Sequence, residues 1–176
     1  MIVYTVQPEM LYRKMREQGY LEGNKDYVLL PEAYEWMMDQ MEKHIADYNK
    51  ESYPIWVWQR RPNRNERALG AKGKRMVILK LDIPEDQILW SSFDEWHSIL
   101  NNNPICFDAN EWDDFKQKGF PKKEVEKTWK RLFDYEWLAS RPSDWDGDYK
   151  EHWMQGVTPR ITMDQVKKVS RFISKG

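Results

Sequence analysis

The chain has 176 residues, a formal net charge of −1 and 32% charged residues. This near-neutral balance argues against a general nucleic-acid binder, which carries a clear basic excess. Ten Trp, nine Tyr and six Phe argue against disorder, because large aromatic side chains offset the entropy lost on folding.

Cysteine content and the N-terminal sequence indicate where the protein works. Cys106 is the only cysteine, so no disulfide forms within these residues and a reducing compartment is favoured. The opening "MIVYTVQPEM" lacks the basic and apolar regions of a signal peptide. No apolar run reaches the roughly 18 residues that span a bilayer. We therefore expect a cytoplasmic protein without membrane contact, folded as one domain over residues 1–176.

The N-terminal part alternates short elements. Residues 2–6 are β-rich and predict a strand, Pro8 predicts the start of a helix, and Gly19 predicts its end. Pro31 opens a second predicted helix. Its apolar stripe follows the period of an amphipathic helix and contains Tyr34, Met37, Met38, Met41 and Ile45.

Two strands with a basic connection follow. Residues 54–60 and 75–83 show strand patterns, and the second alternates apolar residues on one face. Between Arg60 and Arg75 lie seven Lys or Arg residues and one acid, Glu66. We expect a hairpin with a long basic loop, and long loops are often functional.

The C-terminal half mixes helix and strand signals. Ser92 with Glu95, and Thr162 with Gln165, each match a capping box that opens a helix. Residues 124–138 predict another helix and residues 152–157 a strand. The predicted class is α+β, a single compact domain with a small, split or twisted, mainly antiparallel sheet flanked by amphipathic helices.

Metal and nucleophile chemistry find little support in the sequence. Asp94 and His97 share a helix face, but a catalytic zinc site needs three protein ligands, so no metal site is predicted. The surroundings of Cys106 are partly apolar and predict a buried, inert thiol. Phosphate-loop and nucleophile-elbow motifs are absent from the sequence.

The aromatic strand before the basic loop is the main functional signal. Trp56 and Trp58 are two residues apart and point the same way on a strand. They either pack in the core or line a cleft, where they would stack on a base or nicotinamide ring. In the second case Arg60 and Arg61 would contact phosphate through their planar guanidinium groups.

Several segments together resemble a known family. They are "YTVQPEMLYRKMREQGYL", "PEAYEWMMDQM", "YPIWVW", "LKLDIPEDQILWSSFDEWHSILNN" and the closing "MQG" and "ITMDQVKKVSRF". Their order resembles a bacterial and phage family catalogued as domain of unknown function 3841. That resemblance implies no particular activity.

The order of elements also resembles small ADP-ribosyltransferase-type domains. This resemblance implies NAD or an ADP-ribose-like nucleotide as ligand, with ribose contacts from Tyr4, Thr5 and Gln155. Tyr4 and Thr5 stand where such domains carry His or Arg, and Gln155 stands where they carry a catalytic Glu. An amide lacks the charge that stabilises the cationic transition state, and losing such a group costs roughly 10²- to 10³-fold in rate.

Three hypotheses remain open. The leading one is a nucleotide-binding protein of the NAD or ADP-ribose type, a degenerate or active ADP-ribosyltransferase-like domain in phage–host conflict. The alternative is an interaction or inhibitor module acting on a host partner protein. Its basis is the number of tryptophans and the nine acids without Lys or Arg in residues 81–114. Nucleic-acid binding through the basic loop ranks third.

Overall fold

A computed structural model describes residues 1–28, 30–146 and 154–176. The chain divides into two compact units, one formed by Met1–Leu89 with Gly156–Gly176 and the other by Trp90–Gln155. The mixture of helices with a mainly antiparallel sheet confirms the α+β class. The single-domain organisation stays a prediction.

The described strands and helices are short. The strands are β1 (Ile2–Pro8), β2 (Tyr20–Glu22), β3 (Ile55–Trp58), β4 (Arg75–Asp82), β5 (Leu89–Ser92), β6 (Met154–Thr158), β7 (Arg160–Thr162) and β8 (Val166–Ile173). The helices are α1 (Glu9–Gln18), α2 (Pro31–His44), α3 (Phe93–Leu100), α4 (Ala109–Gln117), α5 (Lys122–Thr128), α6 (Tyr135–Ala139) and α7 (Ser143–Asp146). None of these helices combines the length and apolar character needed to cross a bilayer.

Strand β1 is central in the first unit, where the strand order is β6-β3-β1-β4-β8. It pairs antiparallel with β4 over its whole length, and on its other side Tyr4 lies opposite Trp58 of β3. Strands β2 and β7 form a separate two-stranded sheet. The predicted hairpin of β3 and β4 is wrong, because the N-terminal strand inserts between them and pairs with both.

Alternation along β1 gives the main sheet two different faces. Val3 and Thr5 are fully buried, as are Leu79 and Leu81, which lie opposite them on β4. Tyr4, which points to the other face, is only half-buried. The first face belongs to the core, and the second face is partly accessible at Tyr4.

The two helices of the first unit agree with their sequence signals. Gly19 ends α1 with φ 89°, and its N–H donates to the Met15 carbonyl at 2.8 Å. Pro31 is the first residue of α2. Met37 and Met41 are fully buried, which confirms the predicted apolar stripe.

The last segment is a strand, so the predicted C-terminal helix is wrong. Thr162 and Gln165 do form a capping box, but it opens only the 3-10 turn Met163–Gln165. Residues of β8 then pair with β4, which satisfies the backbone groups along one side of β4. This non-local pairing prevails over a local helix signal, as tertiary context often does.

Three helices of the second unit, α3, α4 and α6, begin at polar caps. The Ser92 hydroxyl accepts from the Glu95 N–H at the start of α3. The helix predicted over 124–138 is interrupted, because a 3-10 turn at Trp129–Phe133 separates α5 from α6. Asp134 caps α6 by accepting from the Trp137 N–H at 3.0 Å.

A buried ion pair joins distant parts of the second unit. Arg141 donates to the Glu95 carboxylate at 2.5 Å, and the two side chains are only 3% and 7% exposed. Arg141 also donates to the Cys106 carbonyl at 3.3 Å. Charges this deep are stable only as a pair, because either one alone would be buried without compensation.

Glu95→Ala should therefore lower the free energy of unfolding by about 3 to 5 kcal/mol. The matched control is Glu126→Ala, whose carboxylate makes an exposed ion pair with Lys122 at 3.9 Å and should change stability by less than about 1 kcal/mol. Denaturant unfolding of both variants checks this. Equal, small losses would show that the buried pair does not stabilise the unit.

Candidate functional site

Trp56 and Trp58 line a cleft. Both are half-buried, whereas Ile55 and Val57, which alternate with them, are buried. The cleft has a volume of about 360 Å³, within the range of roughly 300 to 1,000 Å³ that is usual for small-molecule sites. We call it the aromatic cleft; its walls include Val6, Leu11, Leu21, Tyr34, Tyr53, Trp56 and Trp58.

The ring of Trp56 is held in place from α2. Its indole N–H donates to the Tyr34 hydroxyl at 3.2 Å. The two rings meet edge to face, with centroids 6.3 Å apart and planes at 86°, a favourable geometry for aromatic pairs. The aromatic wall is thus oriented before any ligand arrives, which reduces the ordering cost of binding.

A close backbone approach shapes another wall of the cleft. Gly23 forms an isolated β-bridge with Tyr53, and both residues line the cleft. A Cβ atom at position 23 would lie 2.3 Å from the Tyr53 carbonyl oxygen. Glycine is therefore required here for steric reasons, since any side chain would push the two backbone segments apart.

A second, smaller cavity lies on the same face of the sheet. Its volume is about 160 Å³. We call it the cationic cavity; it is lined by Tyr4, Arg61, Ile78, Lys80, Lys168 and Ser170. Tyr4 lies opposite Trp58 on β3 and opposite Lys80 on β4, so lining residues of the two cavities are neighbours across β1.

The basic loop that supplies Arg61 is attached to the C-terminal segment. The Ser174 hydroxyl donates to the Gly70 carbonyl at 2.6 Å, and the Ser174 N–H donates to the Lys74 carbonyl at 2.9 Å. The Gly73 N–H in turn donates to the Ser174 carbonyl. These bonds hold the end of the loop beside the start of β4.

Three of the predicted site residues lie elsewhere. Thr5 is fully buried on the core face, where its hydroxyl donates to the Trp56 carbonyl at 2.8 Å. Arg60 is exposed and lines neither cavity. Gln155 belongs to the second unit and is 2% exposed. Its side-chain nitrogen has no hydrogen-bond partner among the described residues.

Sequence reasoning missed Lys80 and Lys168. The alternation in "RMVILKLDI" places Lys80 with Met76 and Ile78 on the face opposite Leu79 and Leu81, which was a usable signal. Lys168 lies in the segment predicted to be helical. Only the pairing of β8 with β4 brings it opposite Lys80.

Cys106 is buried, as predicted. Burial, together with the nearby Glu111 carboxylate, raises the pKa of its thiol to about 12. A thiol with so high a pKa stays protonated at neutral pH and is a poor nucleophile. Within the described ranges, no group of three or more His, Cys, Asp or Glu side chains is arranged to hold a metal ion.

Trp58→Ala should be much less destabilising than a core Trp→Ala substitution, which costs about 3 to 5 kcal/mol. A cleft residue leaves no closed cavity when it is removed. Trp129→Ala is the matched control, because Trp129 is 4% exposed and donates to the Asn103 carbonyl. Denaturant unfolding gives both values, and equal losses would place Trp58 in the core.

Cys106 should react with a thiolate-specific reagent roughly a thousandfold more slowly at pH 8 in the folded protein than in denaturant. The raised pKa of the buried thiol leaves little thiolate. Absorbance of the released reagent group measures the rate. Rapid reaction of the folded protein, with an apparent pKa near the ordinary value, would contradict this.

Comparisons with known proteins place the chain in a family. A search of curated proteins found no match, and neither did a search of solved structures. One family model matches residues 2–119, which include Tyr4, Trp56, Trp58, Arg61 and Lys80. The chain belongs to the family described as Domain of unknown function (DUF3841).

Proposed function

We propose that this protein binds a nucleotide of the NAD or ADP-ribose type, with a planar ring of the ligand in the aromatic cleft. The observation that carries the proposal is the placement of Trp56 and Trp58 in a cleft instead of the core. Stacking on such side chains contributes roughly 1 to 3 kcal/mol per base in nucleic-acid complexes.

The polar groups of the cleft suit a ring with hydrogen-bonding edges. Lys14, Gln18 and Asn24 lie at its lining together with the aromatic side chains. Glu22 also lines the cleft, but its carboxylate is paired with Arg160, so its charge is largely neutralised toward the ligand. A mostly apolar pocket with a few polar groups is the common form of a small-molecule site.

An ADP-ribosyltransferase-like activity is the more specific form of this proposal. It would require a group that stabilises positive charge on the ribose as nicotinamide leaves. Gln155, the residue to which the resemblance gives this role, is an amide without the necessary charge and is only 2% exposed. We therefore propose binding first, and treat glycosidic-bond cleavage as a separate activity to be measured by nicotinamide release from NAD.

Isothermal titration calorimetry with NAD and with ADP-ribose tests the binding proposal. We expect binding by the natural chain and a loss of roughly 1 to 3 kcal/mol of binding free energy in Trp58→Ala. Trp36→Ala is the control, because Trp36 is also half-buried but does not line the cleft.

No binding of either nucleotide at millimolar concentration would contradict the proposal. The protein-interaction hypothesis would then be the one to pursue. Equal losses in the Trp58 and Trp36 variants would also contradict it, because the effect would not be specific to the cleft.

A further inference from the structure

We propose that the cationic cavity is a phosphate subsite, which holds the diphosphate of the ligand whose ring enters the aromatic cleft. The inference rests on the proposed function for the identity of that ring. It adds the place where the two linked phosphates of that ligand would bind, and two residues that would hold them, Lys80 on β4 and Lys168 on β8.

The charge of the cavity is unbalanced in the protein itself. Arg61, Lys80 and Lys168 line it, and no carboxylate does. None of the three makes an ion pair with any residue that the structure describes. By contrast, Arg171 on the same strand as Lys168 pairs with Glu9 at 3.2 Å. An anion is therefore the missing complement of this cavity.

The pairing of β4 with β8 brings two of these positive charges directly opposite each other. Lys80 and Lys168 are direct partners across the β4–β8 ladder. Like charges directly opposite each other on a sheet are destabilising, and Lys80 is half-buried, which weakens screening by water. A phosphate bound between the two ammonium groups would offset the repulsion that destabilises the free protein.

The neutral lining of the cavity also suits phosphate. Tyr4 and Ser170 bring hydroxyl groups, which donate hydrogen bonds to phosphate oxygens. Ile78, which is 2% exposed, lies opposite Ser170 in the ladder and gives the cavity an apolar base. Charge-assisted hydrogen bonds are strongest in such partly desolvated surroundings.

The order of side chains across the sheet matches the order of groups in a nucleotide. Register pairs place Trp58, Tyr4, Lys80 and Lys168 in one row across β3, β1, β4 and β8. With adjacent strands about 4.8 Å apart, the row spans on the order of 14 Å. A ring at Trp58 would be followed by a ribose at Tyr4 and by phosphates between the two lysines.

Calorimetry with adenosine, AMP, ADP and inorganic pyrophosphate tests the subsite, using the natural chain, Lys80→Gln and Lys168→Gln. We expect ADP to bind more tightly than AMP, and AMP more tightly than adenosine. Each substitution should weaken ADP binding roughly tenfold or more, the effect of losing one charge-assisted hydrogen bond, and leave adenosine binding unchanged.

Lys167→Gln is the matched control, because Lys167 is adjacent on β8 and exposed but lines neither cavity. It should bind all four compounds like the natural chain. Because Lys168 lies exposed on β8, Lys168→Gln keeps the test valid even if Lys80→Gln disturbs folding.

Different outcomes separate this inference from the proposed function. If ADP and adenosine bind with equal affinity, and neither substitution changes that affinity, the phosphate subsite is overturned. The proposed binding of the ring in the aromatic cleft is then unaffected. A different result would support the subsite and contradict ring binding in the aromatic cleft. In that case pyrophosphate binding depends on Lys80 and Lys168, adenosine does not bind, and ADP binds no more tightly than pyrophosphate. No binding of pyrophosphate or ADP would overturn the subsite.

Discussion

The insertion of β1 between β3 and β4 is the constraint on which the site depends. A strand in this position pairs on both sides, so its register fixes which residues of its neighbours share a face. Seven register pairs link β1 to β4, from Ile2–Asp82 to Pro8–Met76. A shift of one residue would turn Tyr4 into the core and Thr5 out of it, and would dismantle both cavities together.

The two faces of this sheet have different physical roles. The core face carries side chains that are fully buried, including Val3, Leu79 and Leu81. The other face carries half-buried aromatic and basic side chains, including Trp58 and Lys80. The core face thus contributes most of the fully buried side chains, and the other face, apart from buried Met76 and Ile78, retains an open cleft and a cluster of like charges, features that do not stabilise the fold.

Local sequence signals predicted the features that depend on neighbouring residues, such as helix ends and the face to which a strand residue points. Pro31 and Gly19 correctly marked a helix start and a helix end. The spacing of Trp56 and Trp58 correctly placed them on one face. The C-terminal helix and the β3–β4 hairpin failed, because the partners of β8 and β3 lie far away in sequence and no local pattern encodes them.

In the candidate site, too, some residues were predicted from local sequence, and others depend on distant strand pairing. Tyr4 and Arg61 were among the predicted residues, and the structure brings them to one cavity. Lys168 was out of reach, because its place beside Lys80 is decided by strand register. Thr5, by contrast, lies on the core face. It is adjacent to Tyr4 in sequence, and adjacent residues on a strand point to opposite faces.

We propose that one ligand occupies the row from Trp58 to Lys168. Two-dimensional ¹H–¹⁵N NMR during titration with ADP-ribose tests it most directly, because each indole and amide group reports its own surroundings. A ligand bound along the whole row should shift the Trp56 and Trp58 indole signals and the Tyr4, Lys80 and Lys168 amide signals, all with the same affinity. The indole signal of the buried Trp129 should not move. If the Trp58 and Lys168 signals stay unchanged at saturation with ADP-ribose, binding of one ligand along this row is contradicted.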